Sequence, residues 1–146
     1  MQNRTPPAPL VLGLAGLLPP LAGAVVVCLD LGGVGTVARE AVLLYAALIA
    51  SFLGCIWWGF ANRTKEPSWA LLLTSVVPSL ACWAMLLLLP SLEAGLGLAL
   101  LVLLTPLFDL RLQRAGLTPP WWLRLRVPLS ITLAVALLAV TFCGRG

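Results

Sequence analysis

AVLLYAALIASFLGCIWWGFA, residues 41–61, runs for twenty-one residues without a charged side chain. A helix of that length rises about 30 Å, which matches the hydrocarbon core of a bilayer. The run is continuous and not alternating, so it suits a helix better than a strand of a membrane barrel, and in hydrocarbon only those two structures satisfy the backbone. Set at 100° per residue, Ala47, Ala50, Ser51, Gly54 and Cys55 gather on one face. Tyr45, Ile49, Phe52, Ile56 and Phe60 gather on the other. Small faces let helix backbones approach closely, so the small face is the expected seam of a bundle. Trp58 falls in the middle of that face and is expected to point inward, with Trp57 about 100° round the helix.

Four further segments have comparable length: about 9–29, 68–90, 92–108 and 127–143. Hydrophobic residues make up 61% of the 146-residue chain and charged residues only 10%, with a mean hydropathy of +1.06. A soluble fold could not hide that much apolar surface. The expectation is a single all-α membrane domain, a polytopic integral membrane protein with a five-helix transmembrane bundle. The fourth segment is the shortest, bounded by Glu93 and Asp109. The first resembles a secretory signal, with Arg4 ahead of it and Ala22-Gly23-Ala24 as a small-residue site. Its apolar run continues through Val25–Leu29, however, so a retained span is expected.

Five crossings would put Arg4, Arg63, Lys65, Arg111, Arg114, Arg124 and Arg126 on one side and leave Arg39 and Arg145 on the other. The positive-inside rule then predicts an amino terminus in the cytoplasm, or in the matrix for a mitochondrial protein, and an outer carboxyl terminus. The net charge of +4 is spread over loop flanks, which argues against a nucleic-acid surface. Membrane lipids are the expected partners, with other membrane proteins as an alternative; the sequence does not fix the oligomeric state. The sequons at Asn3 and Asn62 fall on the predicted inner side and are read as chance.

Trp57, Trp58, Trp69, Trp121 and Trp122 lie near the predicted inner boundary, and only Trp83 is deeper. An aromatic belt is the expected role, with a ligand cage around Trp58 as the alternative. Pro19-Pro20 and Pro78 should kink or break the first and third helices. Ser75 and Ser79, with Cys82, make a small polar stripe on the third. Ser51, Gly54, Cys55, Trp58, Ser75, Pro78 and Ser79 are therefore the candidate seam or cavity residues. Residues 109–126 read as an interfacial basic loop in the headgroup layer, where Asp109, Arg111, Arg114, Trp121, Trp122, Arg124 and Arg126 supply ion-pair and lipid contacts. The expected partner of Asp109 is Arg111, Arg124 or Arg126.

Reactive chemistry has little to build on. Without histidine the chain lacks the commonest metal ligand and general base. Cys28, Cys55, Cys82 and Cys143 have no metal or dithiol spacing, although Cys28 and Cys143 both lie near the outer face and leave a disulfide open. Gly33-Val34-Gly35-Thr36-Val37-Ala38 fits the loose dinucleotide pattern but is followed by no second strand. No catalytic, cofactor-binding or metal-ligating residue is expected, and the chain is read as non-enzymatic.

Three motifs then combine: Tyr45-x-Ala47-x-Ile49-x-Ser51-Phe52-x-Gly54 through Trp58-Gly59, Ser75-x-x-Pro78-x-Leu80-x-x-Trp83, and Gly116-Leu117-x-x-Pro120-x-Trp122 leading to Leu125-Arg126-x-Pro128-Leu129. From about Leu12 to Leu137 the chain resembles the domain-of-unknown-function 3429 family, which includes the transmembrane protein 69-like proteins of eukaryotes. The resemblance implies a small multi-span protein of the bacterial inner membrane or of mitochondria, and no reaction. Similar proteins often carry a polar residue where this chain has Trp57. The leading expectation is a helix bundle acting through contacts with other membrane proteins or lipids. The alternative is a small-solute transporter or channel subunit built on the first and third helices.

Overall fold

The computed structural model describes residues 4–143, so Asn3 and Arg145 lie outside the described residues. Helices α1 (Pro7–Ala15) and α2 (Leu18–Cys28) together make the first crossing, followed by α3 (Gly35–Ala61), α4 (Trp69–Leu88), α5 (Ser91–Arg114) and α6 (Trp122–Cys143). Among the described residues, five helical spans are long and apolar enough to cross a membrane. Helix α3 lies along α4, α5 along α6, and α2 against both α3 and α6, whereas α1 rests lightly on α6.

Small residues dominate the inside of this bundle. Ala46, Ala50, Ala94, Ala99, Ala134 and Ala136 are buried with Leu98, Leu137 and Val140. Leu44, Leu48, Phe52, Leu80, Leu100 and Val135 face outward. That distribution suits a lipid solvent, where burying leucine gains nothing and close backbone packing supplies the attraction. At Gly54 the approach leaves no room for a side chain, since a Cβ there would collide with the main-chain oxygen of Ser75 on α4.

Prolines divide the helices less than their number suggests. The first crossing breaks at Gly16–Leu17, which sets Pro19 and Pro20 in the first turn of α2, where a missing N–H costs nothing. The Gly16 carbonyl, which Pro20 deprives of its helical donor, accepts a hydrogen bond from Tyr45 Oη at 2.8 Å. Val102, four residues before Pro106, likewise accepts from Thr105 Oγ1 at 2.8 Å. Helix α4 continues through Pro78 without a break.

Two boundaries also differ from the expected ones. Helix α3 begins at Gly35, not near residue 41, and the basic loop expected over 109–126 contracts to residues 115–121. Hydropathy marks where apolar sequence ends, whereas Leu110, Arg111, Leu112, Gln113 and Arg114 are all competent helix formers that extend α5. Gly116, with φ of +71°, then ends α5. The amide of Leu117 reaches back to the Leu112 carbonyl at 3.0 Å and that of Gly116 to Gln113 at 2.9 Å, a Schellman closure that needs the left-handed residue. The Gly33–Ala38 stretch is no strand-turn-helix unit. A single 3-10 turn, Leu31–Gly33, precedes α3 there, with Gly32 and Gly33 at positive φ.

Candidate functional site

The most polar part of the interior is formed by α3, α5 and α6. Asp109, expected at the interface, is fully buried at 0% exposure. Its Oδ1 accepts the indole N–H of Trp57 at 2.8 Å, and its Oδ2 faces Arg126 Nε at 3.3 Å. Arg126 is also buried, and its Nη2 reaches Thr105 Oγ1 at 3.4 Å and Ser130 Oγ at 3.5 Å. Of the three arginines considered, Arg126 is therefore the partner of Asp109. Both are packed inside the bundle, because α5 and α6 continue as helices past the predicted loop ends and carry both groups into their interface.

Asp109 also corrects the reading of the tryptophan pair. Trp57 is the inward residue, 3% exposed, and Trp58 is 46% exposed. Sorting the helix by side-chain size alone left out the carboxylate, whose acceptor draws an indole N–H into the bundle. Trp57 also packs on Phe108, with ring centroids 4.4 Å apart. The buried line of α3 consequently runs through Leu43, Ala46, Ala47, Ala50, Leu53, Gly54, Trp57 and Ala61. Cys55 and Trp58 are left at its edge.

The proposed seam residues nonetheless gather. Gly54, Cys55, Trp58, Ser75 and Ser79 line an open cleft of about 190 Å³ between α3 and α4. Pro78 is buried behind Gly54, and Ser51 is half-buried outside the cleft. The serines contribute little polarity, since Ser75 Oγ turns back to its own helix at Leu72 O, 2.6 Å away.

A larger cavity of about 320 Å³ lies between α1, α3 and α6. Its walls are apolar, including Leu12, Leu17, Ile49, Phe52, Leu53 and Leu133, with Arg126, Ser130 and Trp122 as the groups of different character. Trp122 packs edge-on against Phe60 with centroids 5.4 Å apart and lies beneath the Arg126 guanidinium at 5.9 Å. Its indole N–H is buried without an acceptor.

Arg111 and Arg114 are exposed in the last turn of α5, where positive charge opposes the helix dipole favourably. Arg124 is exposed at the start of α6, and Trp121 is half-buried against Trp122. Arg63 Nη1 donates to Leu117 O at 3.1 Å and so joins the two turns at this end of the bundle. At the opposite end Cys28 and Cys143 are joined in a disulfide that ties α2 to α6 across 115 positions of sequence. Cys55 is exposed and Cys82 buried, both as free thiols.

Sequence reasoning missed Trp57, Thr105 and Ser130 as members of the polar cluster. A signal was present: Thr105 with Asp109 and Arg126 with Ser130 are each four apart, which places two polar residues on one face of an otherwise apolar helix. Among the described residues, no group of three or more histidine, cysteine, aspartate or glutamate side chains forms a metal-binding cluster.

Residues 5–142 match the model of a family described as protein of unknown function (DUF3429). Transmembrane protein 69 of Xenopus tropicalis is 34% identical over 142 residues, covering 90% of this chain and 53% of its own length. The chain thus spans about half the length of that curated relative. No solved structure matches.

Proposed function

From the premise that the chain belongs to the DUF3429 family of multi-span membrane proteins, we propose that it is a non-enzymatic inner-membrane bundle that works through lateral contacts with membrane lipids or other membrane proteins. The observation that carries this reading is the Asp109–Arg126–Trp57 cluster. The ionised groups inside the bundle are spent on one another, and the outer faces of the spans are apolar. Such a molecule offers its surroundings surface, not a reactive group.

The orientation belongs to the same proposal. The arginine-rich turns lie on the cytoplasmic side, or the matrix side in mitochondria, and the carboxyl terminus lies outside. The Cys28–Cys143 disulfide at the far end supports this, because disulfides persist in oxidising compartments such as the periplasm. Reporter fusions at the two termini should register opposite compartments; the same compartment for both would overturn the topology. Purification in mild detergent should bring down a lipid or protein in stoichiometric amount. Repeated recovery of the bare chain, or solute flux through proteoliposomes containing it alone, would overturn the lateral-contact reading.

A further inference from the structure

The cavity between α1, α3 and α6 contributes nothing to holding the bundle together, and its chemistry is one-sided. Along most of its length it presents only carbon, from Leu12, Leu17, Ile49, Phe52, Leu53 and Leu133. Toward the arginine-rich end its wall holds Arg126 and Trp122. Arg126 is held by Asp109, Thr105 and Ser130, whereas the Trp122 indole N–H is buried without an acceptor. A buried donor left unmade costs roughly 1–3 kcal/mol, so an acceptor brought to this end would be held.

Access to the cavity is sideways. Helix α1 has no buried residue, packs only lightly on α6, and is separated from α2 by the Gly16–Leu17 break. Leu12 and Phe52, both in the cavity wall, are also exposed to the surroundings. In a membrane those surroundings are acyl chains. The volume of about 320 Å³ lies at the small end of the usual range for ligand sites, enough for a single alkyl chain and too small for a whole phospholipid. Charge selects the headgroup. Arg63, Lys65, Arg111, Arg114 and Arg124 lie in the α3–α4 turn, the last turn of α5 and the first turn of α6, the end of the bundle that also carries Trp122 and Arg126, with Glu66 as the acid in the same turns. Each basic residue near a membrane surface favours anionic lipid by about 1 kcal/mol.

We infer that this cavity is a binding site for one acyl chain of an anionic phospholipid, whose phosphate and ester oxygens lie against Arg126, Trp122 and the neighbouring basic turns. The inference rests on the lateral-contact reading and makes it specific: one lipid is a bound component and not only solvent. Helix α1 is then the movable wall, and the lipid's chain completes the packing that α1 leaves unfinished.

The test uses the full chain reconstituted in vesicles of equal parts phosphatidylglycerol and phosphatidylcholine, extracted gently and weighed intact by native mass spectrometry. The parent should retain one phosphatidylglycerol. Ile49→Trp fills the cavity from α3, and Leu12→Trp blocks its rim without touching the core; each should lower retention roughly tenfold. Leu48→Trp, on the exposed face of the same helix as Ile49, should leave it unchanged. Thermal unfolding of each variant separates a filled cavity from a lost fold. Equal retention of both headgroups, no lipid retained by the parent, or full retention in both folded filling variants overturns the inference. An empty cavity beside a retained protein partner defeats the lipid site alone. Solute flux defeats the lateral-contact reading whatever the cavity holds.

Discussion

Replacing Asp109 by asparagine tests the interior directly. The amide keeps the shape of the carboxyl group and leaves an oxygen for Trp57, but it strips Arg126 of its counter-charge. At 3.3 Å and an effective dielectric of about 20, the attraction between the two groups amounts to ~5 kcal/mol. Much of that is offset by removing both ions from water, so the pair need not stabilise the fold over an apolar alternative. Breaking one side is different, because it leaves a buried charge uncompensated at a cost of about 3–5 kcal/mol. Asp109→Asn and Arg126→Met should each lose that much, measured by equilibrium unfolding in dodecyl maltoside with rising dodecyl sulfate and followed by far-UV circular dichroism. The double variant Asp109→Asn with Arg126→Met should recover most of the loss, since it removes the buried charges and keeps an oxygen for Trp57. Arg126→Lys should fall between, keeping the charge but not the contacts to Thr105 and Ser130. An Asp109→Asn protein within about 0.5 kcal/mol of the parent refutes the ionic lock. So does a double variant as unstable as the sum of its singles, because independent sites add.

Further outcomes follow from single contacts. Trp57→Phe keeps the ring against Phe108 but removes the donor to Asp109, and should cost about 1.5–3 kcal/mol in the same titration, as expected for a hydrogen bond to a charged group. Gly54→Ala should destabilise by roughly 1–3 kcal/mol, since its methyl meets the backbone of α4, which cannot swing away. Gly59→Ala, in the same helix with open space around it, should stabilise by about 0.4–1 kcal/mol. Tyr45→Phe exposes the Gly16 carbonyl and should loosen α1, read as faster hydrogen exchange over residues 7–17 against unchanged exchange in α5. Maleimide should label Cys55 in the folded protein, whereas Cys28 and Cys143 should react only after reduction.

The five crossings were legible because hydrophobic length is a property of composition, and composition survives without coordinates. Helix ends were less so: the Gly116 closure, with Pro119 and Pro120 beyond it, is the usual sequence mark of a helix stop, yet hydropathy drew the eye to residue 108 instead. The small face of α3 was visible from its spacing, but its rotation was not, because that depends on which neighbour offers an acceptor. Asp109 could be paired with three arginines from sequence. Only the angle between α5 and α6 decides that Arg126 meets it, and no local pattern encodes an angle between helices.

Helix α6 is gripped at both ends, and this explains why the cavity lies where it does. Arg126 is held near one end by Asp109 and Cys143 near the other by Cys28, some 25 Å apart along the helix. Between those points α6 is fixed against α5 by small side chains, with Gly95 so close to Thr141 that a Cβ would collide with its hydroxyl. Helix α2 inherits this rigidity through the disulfide, but α1 does not, because the break at Gly16 interrupts the helix before the constraint can reach it. The lightly packed wall formed by α1 therefore faces a clamped helix. Cutting the disulfide with Cys28→Ser should then leave the Asp109–Arg126 end intact while it frees α2 to move with α1. Hydrogen exchange should quicken across residues 7–28 and stay slow around 102–112. Uniform quickening throughout the bundle would mean that α6 is not an independent post and that the two grips act as one.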